Sequence, residues 1–320
     1  MVLSRRQFLG LAGGAVGGLA GGGLLRAAAW PLLTQEDLLP GVAPTGRLAA
    51  GAWTTTGDRV RMAVLGDNGS GGRQALAVAA RMARTYEQRP FGAVVLLGDI
   101  SYYGSITQRW KEVFLRPLGP LIDAGVRFDL AIGNHDTALE RNDAAAEEIN
   151  DHLRLLGTPG EFYKVSHGPV DLFVLDSSMP GMLGTLAADQ LDWLDVALAE
   201  SSNQWRLVAL HHPLYSSGTH GSTIAVRDAL EPILTRHRVD LVLTGHDHDY
   251  ERTHPQDGVT YVVSGGGCKT TRVGRSAFTA YSERTLQFLT IDVEGDRLEA
   301  TCIRPDGTVA DRFELRARAS

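Results

Sequence analysis

The fold is decided by residues 60–99, which read VRMAVLGDNGSGGRQALAVAARMARTYEQRPFGAVVLLGD. The short apolar runs at 60–65 and 93–97 are typical of buried strands, and residues 72–88 carry apolar side chains at helical spacing. A strand, a helix and a second strand in this order favour a partly parallel sheet covered by helices. Each strand ends in the same dipeptide, at Gly66-Asp67 and at Gly98-Asp99.

The same alternation continues along the chain. Further strands are predicted at 128–132, 162–165, 170–175, 206–210 and 239–243, and further helices at 107–115, 118–124, 138–156, 187–199 and 223–237. The C-terminal part is mostly β, with strands predicted at 260–263, 286–293, 298–303 and 309–315. This pattern predicts an α/β fold with two packed, mixed β-sheets flanked by helices, which is a four-layer αββα sandwich.

The composition argues against some classes of function. The formal net charge is −6 and the chain has no run of Lys and Arg, so we expect no nucleic-acid partner, which would favour a basic face. The two cysteines, Cys268 and Cys302, lack the spacing of a metal site. Either a disulfide or two buried free thiols is compatible with the sequence.

The first residues have the features of an export signal. Arg5-Arg6 precedes a stretch rich in Gly, Ala and Leu that is uncharged as far as Arg26, and Ala27-Ala28-Ala29 offers small residues to a signal peptidase. The paired arginines resemble the twin-arginine signal. An uncleaved membrane anchor is less favoured, because so many glycines make a poor spanning helix, and we expect no stable membrane insertion after cleavage. The expected layout is a signal peptide at 1–29, a leader or irregular edge at 30–57 and one large domain at 58–320.

Five polar clusters each follow an apolar strand. Any one of them is a weak signal, because Gly-Asp after a strand is commonly a turn. In open α/β sheets, ligands bind outside the carboxyl ends of the strands, so the five together predict carboxylate, amide and imidazole groups at one edge. Such donors suit hard or borderline metal ions. The clusters are Gly66-Asp67-Asn68-Gly69, Gly98-Asp99-Ile100-Ser101-Tyr102, Gly133-Asn134-His135-Asp136, His211-His212-Pro213 and Gly245-His246-Asp247-His248.

In order and spacing, the five clusters resemble the signature of the calcineurin-like metallophosphoesterase superfamily. Within it they are similar to purple acid phosphatases, which carry a tyrosine three residues after the second aspartate, where this chain has Tyr102. The stretches Tyr250-Glu251-Arg252-Thr253 and Ser264-Gly265-Gly266-Gly267 are similar as well, so the resemblance covers residues 61–303. Large plant-type members have a β-sandwich domain before the catalytic one. Too little chain precedes Val60 to form it, so we expect the small single-domain type.

The resemblance implies a centre of Fe(III) and a divalent ion, which would be Zn, Fe or Mn. The ferric ion would be held by Asp67, Asp99, Tyr102 and His248, and the divalent ion by Asp99, Asn134, His211 and His246, with Asp99 bridging. Phenolate and carboxylates suit Fe(III), whereas two imidazoles and an amide suit the divalent ion. The implied reaction is hydrolysis of a small phosphate monoester by hydroxide generated at the two ions.

Two further histidines are implied to be catalytic. His135 would lie beside the ions without binding them. His220 stands where small, mammalian-type purple acid phosphatases have a histidine that contacts the substrate and can protonate the leaving group. Asp136 and Asp247 are expected to fix loops or orient imidazoles. Substrate selection is expected in the loops at 101–108, 180–185 and 216–222.

Two alternatives remain open at this point. The first is a phosphodiesterase of the wider superfamily, against which Tyr102 argues, since most of those relatives lack this ligand. The second is an exported binding protein that kept the fold and lost turnover. A degenerate member should have a broken ligand set, and no position is missing here.

Overall fold

The computed structural model describes residues 59–102, 109–136, 158–178 and 186–318. Its helices are α1 (Arg73–Gln88), α2 (Arg116–Asp123), α3 (Ala188–Ala199) and α4 (Ile224–Arg236), with a π-helical turn at Lys111–Leu115 leading into α2. Its strands are β1 (Arg59–Leu65), β2 (Ala93–Leu96), β3 (Arg127–Leu130), β4 (Tyr163–His167), β5 (Val170–Val174), β6 (Trp205–Ala209), β7 (Leu241–Thr244), β8 (Tyr250–Thr253), β9 (Thr260–Ser264), β10 (Thr279–Glu283), β11 (Phe288–Glu294), β12 (Arg297–Ile303) and β13 (Val309–Arg316).

The strands form two mixed sheets. The first has six strands in the order β13-β12-β11-β1-β2-β3, and its members β1, β2 and β3 are parallel. The second has seven strands in the order β10-β8-β9-β7-β6-β5-β4, and its members β5, β6, β7 and β9 are parallel. The parallel strands are apolar along their length because both faces are covered, and β2 and β7 are buried at every residue.

Three apolar layers hold the helices and sheets together. Met82 of α1 and Phe114 pack on the first sheet, Leu207 and Ile291 lie between the two sheets, and Leu230 of α4 packs on the second sheet. Fully burying a side chain of this kind stabilises the fold by about 1.5–3 kcal/mol. The predicted four-layer αββα architecture is therefore confirmed.

Sequence periodicity located most elements well. Every predicted strand is present, with ends that differ from the prediction by no more than two residues. Strands β8 and β10 were not predicted, because neither has an apolar run or a clear alternation. In β8 the buried Glu251 is satisfied by the backbone N–H of Ser217 and the hydroxyl of Thr279, so a polar residue occupies a core position.

Some sequence predictions fall on residues that the structure does not describe. These are the signal at 1–29, the leader at 30–57, the helix at 138–156, the loop at 180–185 and part of the loop at 101–108. Cys268 and Cys302 are both buried and free, so of the two possibilities the structure has the free thiols. Across the described residues, no helix has the length and apolar character needed to span a membrane.

Candidate metal centre

The predicted donor residues lie where the carboxyl ends of the parallel strands of both sheets meet. Asp67, Asp99 and Asn134 follow β1, β2 and β3 of the first sheet, while His211 and His246 follow β6 and β7 of the second. The two sheets are joined at this edge by hydrogen bonds from Gly66 N to Ser264 O (3.0 Å) and from Gly267 N to Gly66 O (3.1 Å). Residues far apart in sequence thus share one edge.

The backbone turns sharply at three of these positions. Asp67, Asp99 and His246 have φ values of 58°, 52° and 71°, in the left-handed region that non-glycine residues rarely adopt. Each such residue costs on the order of 1–3 kcal/mol and persists because its surroundings enforce it. The glycines before them allow close approach: a Cβ on Gly245 would lie 2.5 Å from Oδ2 of Asp67.

One half of the site groups a phenol, a carboxylate and an imidazole. The hydroxyl of Tyr102 donates to Oδ1 of Asp67 over 3.0 Å and lies 3.1 Å from Nε2 of His248. Nε2 of His248 is 3.4 Å from the same carboxylate oxygen. These are three of the four residues that the sequence predicts around the ferric ion, and their donor atoms converge on one point.

The other half groups an amide and two imidazoles. Oδ1 of Asn134 lies 3.0 Å from Nε2 of His211 and 3.0 Å from Nδ1 of His246, and the two nitrogens are 3.2 Å apart. Nε2 of His211 is 3.5 Å from Oδ1 of Asp99. These four residues are the predicted ligands of the divalent ion.

Asp99 lies close to both halves. One potential ligand atom from each of Asp67, Asp99 and His211 falls within 4.8 Å of the others, and all three residues are buried. The seven residues predicted as metal ligands are therefore brought together in one cluster.

The tautomer of His211 is fixed by a backbone contact. Its Nδ1 lies 2.7 Å from the carbonyl oxygen of Leu97, which can only accept a hydrogen bond, so Nδ1 carries the proton. Nε2 then faces Asn134 and His246 with its lone pair. Imidazoles that bind metals are commonly oriented in this way.

Burial makes charge unfavourable throughout the cluster. It raises the pKa of Asp67 to about 7, although the charge of His211 and the hydrogen bond from Tyr102 partly oppose this. Burial and the charge of Asp67 likewise raise the pKa of Asp99. Burial also lowers the pKa of His211 and, together with the neighbouring imidazoles, that of His246.

This donor set fits metal ions well. It offers two buried carboxylates, a phenol oxygen, an amide oxygen and three imidazole nitrogens on neutral rings. A bound cation would reverse the electrostatic balance, because it stabilises ionised carboxylates and phenolate and uses the lone pairs of neutral imidazoles.

Two acidic residues fix the loops around the cluster, as the sequence predicted. Asp136 accepts hydrogen bonds from the backbone N–H groups of Ser101 and Gly133. Asp247 accepts from the backbone N–H groups of His220 and Gly221 and from the hydroxyl of Ser216. Both acids therefore hold backbone in place.

The two predicted catalytic histidines border the cluster. The backbone N–H of His135 donates to Oδ1 of Asp99 over 2.9 Å, and its ring centre is 4.8 Å from that of Tyr102. The exposed ring of His220 has its centre 4.4 Å from that of His246 and 6.3 Å from that of His248. His212 is buried, and its Nδ1 lies 2.9 Å from the hydroxyl of Ser177.

Sequence reasoning missed Lys269. Its Nζ lies 3.9 Å from the ring centre of Tyr102, within the range of a cation–π contact. The sequence does contain a signal for its position, because only Cys268 separates Lys269 from the three glycines at 265–267. The glycines bring this loop against the cluster: a Cβ on Gly265 would lie 2.1 Å from the carbonyl oxygen of Asp247.

The sequence matches the calcineurin-like phosphoesterase family over residues 60–250, and the chain belongs to this family. It is 28% identical to tartrate-resistant acid phosphatase type 5 of Rattus norvegicus over 217 residues, which are 60% of this chain and 65% of that protein. It is 30% identical to purple acid phosphatase 3 of Arabidopsis thaliana over 245 residues, which are 68% of this chain and 66% of that protein. The chain thus spans just under two thirds of the length of these relatives.

Solved structures with the same fold include a purple acid phosphatase. The yellow lupin (Lupinus luteus) enzyme PPD1 has a TM-score of 0.70 at 20% identity, covering 81% of this chain and 54% of that one. GAP50 of Plasmodium, described as the anchor in the inner membrane complex, has a TM-score of 0.68 at 15% identity, covering 82% and 90%. These similarities support the fold.

The burial of Asp67 leads to a prediction for the metal-free protein. Because its folded pKa is raised to about 7, the carboxyl contributes stability that is fully present below about pH 4 and is lost as the pH rises through about 7. Asp67→Asn should therefore stabilise the metal-free protein at pH 8, by up to about 4 kcal/mol, and change it little at pH 4. Urea unfolding with a chelator present measures both values.

The control is Asp123→Asn, which removes an exposed carboxylate at the end of α2 and should show no such difference between the two pH values. Addition of Zn²⁺ should stabilise the unsubstituted protein more than Asp67→Asn, because ligand binding to the folded state raises stability. The same effect of Asp67→Asn at pH 4 and pH 8 would contradict a raised pKa of Asp67 in the folded protein.

Proposed function

We propose that this protein is an exported acid phosphatase that hydrolyses phosphate monoesters at a centre of Fe(III) and a divalent ion, which would be Zn, Fe or Mn. The observation that carries the proposal is the position of Tyr102, whose hydroxyl contacts both Asp67 and His248 in the cluster. The similarity to acid phosphatases from a rat and a plant supports the same activity.

The two halves of the cluster suggest how the ions would be held. Asp67, Asp99, Tyr102 and His248 would bind Fe(III), for which phenolate and carboxylate oxygens are suitable ligands. Asp99, Asn134, His211 and His246 would bind the divalent ion. When bound, two such ions clamp a phosphate group and lower the pKa of water, which supplies the nucleophile.

The two flanking histidines have separate proposed roles. His135 borders the cluster, where its ring can donate a hydrogen bond to a phosphate oxygen. His220 is exposed and its ring lies against His246, so it can reach the leaving group from the solvent side and donate a proton. Asp247 holds the backbone N–H of His220 at 2.8 Å and so positions the loop.

The two alternatives predict different outcomes. GAP50 shows that this fold also occurs in a protein described as an anchor, so the fold alone does not decide in favour of catalysis. The complete donor set favours an enzyme. Tyr102 favours a monoesterase over a phosphodiesterase of the wider family.

We predict that the metal-loaded protein hydrolyses p-nitrophenyl phosphate faster than bis(p-nitrophenyl) phosphate, with highest kcat/KM below pH 7. A trivalent ion should lower the pKa of water further than Zn²⁺, which brings it to about 7. An imidazole that donates a proton must also be protonated, which low pH favours. Rate–pH profiles for both substrates measure this. A preference for the diester with an alkaline optimum would indicate a phosphodiesterase, and no turnover of either substrate would indicate a binding protein.

A second prediction concerns the colour of the oxidised protein. Phenolate bound to Fe(III) absorbs visible light by charge transfer, so the protein should be purple or pink. Tyr102→Phe keeps the ring and removes the oxygen that contacts Asp67 and His248, so the visible band should disappear while iron is retained. Tyr215→Phe is the control, because this tyrosine binds Glu231 and not the cluster. A visible band that persists in Tyr102→Phe would exclude this ligand.

Export through the twin-arginine machinery is proposed from the sequence alone. The supporting feature is Arg5-Arg6 before a weakly apolar run, and the protein would then act in the periplasm, at the cell surface or in the medium. Replacing both arginines with Lys should leave the precursor in the cytoplasm, as measured by fractionation and immunoblotting. Replacing Arg26 with Lys is the control and should leave export unchanged. Normal export of the Arg5→Lys, Arg6→Lys variant would exclude the twin-arginine route.

A further inference from the structure

The loop after β9 places a lysine directly beside the metal cluster. Lys269 is half-buried, and its ammonium lies 3.9 Å from the ring centre of Tyr102. A cation–π contact engages the ammonium through its charge and leaves its N–H donors available for other partners. Lys269 can therefore bind a further group at the mouth of the site.

No carboxylate pairs directly with this ammonium in the described parts of the chain, although Asp67 lies near enough to interact with its charge. Within the described parts of the chain, Nζ of Lys269 makes neither an ion pair nor a hydrogen bond. The loop at 268–278 also carries Arg272 and Arg275 and contains no Asp or Glu. In a chain whose net charge is −6, this is a local concentration of positive charge.

The basic loop is attached to the loop that carries His220. The backbone N–H of Gly274 donates to Ser217 O over 2.8 Å, and the hydroxyl of Thr219 donates to Arg272 O over 3.2 Å. The ring of His220 in turn lies against His246. The two loops therefore stand side by side at the mouth, with the proposed proton donor on one and Lys269 on the other.

The charges of the metal-loaded centre do not explain why a lysine lies beside it. Asp67, Asp99 and ionised Tyr102 would supply three negative charges, whereas a ferric and a divalent ion would bring five positive ones. A further cation beside Tyr102 adds repulsion to a centre that is already positive. A negatively charged group of another molecule, bound beside Lys269, would offset that repulsion.

We propose that Lys269 binds a second anionic group of the substrate, so that this centre prefers phosphate monoesters whose leaving group carries a further negative charge. This inference rests on the phosphatase function proposed above. A charge-assisted hydrogen bond at a half-buried site is sufficient for a preference of about tenfold. The preference should weaken as ionic strength rises, because salt screens exposed charges.

The test compares two phosphonates that are not hydrolysed. 3-Phosphonopropionate and propylphosphonate have the same chain length and differ by a carboxylate in place of a methyl group. Calorimetric titration of the metal-loaded protein should give a Kd about tenfold lower for 3-phosphonopropionate at low salt. Lys269→Met should abolish this difference and Lys269→Arg should retain most of it. Arg84→Gln, which removes an exposed charge from α1, is the matched control and should retain it fully.

The outcomes separate this inference from the proposed function. Equal affinity for the two phosphonates, a preference that persists in Lys269→Met, or no binding of either compound would overturn the role of Lys269. If Lys269→Met loses metal, the salt dependence of the unsubstituted protein is the deciding measurement. A preference for 3-phosphonopropionate that does not change with salt would exclude a charge contact. Absence of phosphatase turnover would overturn the proposed function without altering the binding comparison.

Discussion

The burial of the Asp67 and Asp99 carboxylates, where the two sheets meet, is the constraint on which the rest of the structure depends. Placing an ionised carboxylate away from water costs several kcal/mol unless its charge is compensated. The raised pKa of both groups reflects that cost. The three apolar layers contribute the stability that offsets the cost of burying these carboxylates. The same burial favours metal binding, because a cation gains more from carboxylates that water cannot screen.

The position of the donors depends on how the sheets pack. Asp99 and Asn134 follow strands of the first sheet, while His211 and His246 follow strands of the second. Sliding one sheet over the other would separate Asn134 from both imidazoles, which it now contacts at 3.0 Å. The hydrogen bonds that join the sheets at this edge therefore hold the donors of the two sheets in register. Short side chains on a constrained backbone have little freedom to move apart, which favours preorganisation.

Much of this could be predicted from the sequence. Covered parallel strands are continuously apolar, so β2 and β7 were evident, and a Gly marked four of the five donor clusters. Strands β8 and β10 could not be found in this way, because hydrogen bonds to Glu251 replace apolar burial there. Lys269 was missed because its contact with Tyr102 joins loops from different sheets, and no local periodicity records such an approach.

The division of charge around the site has a structural cause. Asp136, Asp247 and Glu251 all direct their oxygens towards backbone N–H groups of neighbouring loops. Carboxylates used in this way point into the protein, so they cannot form close ion pairs with cations at the mouth. The His220 ring and the Lys269 ammonium border the cluster on the described side of the site. The charges of Lys269, Arg272 and Arg275 beside the cluster would attract anions locally, even though the whole chain is negatively charged.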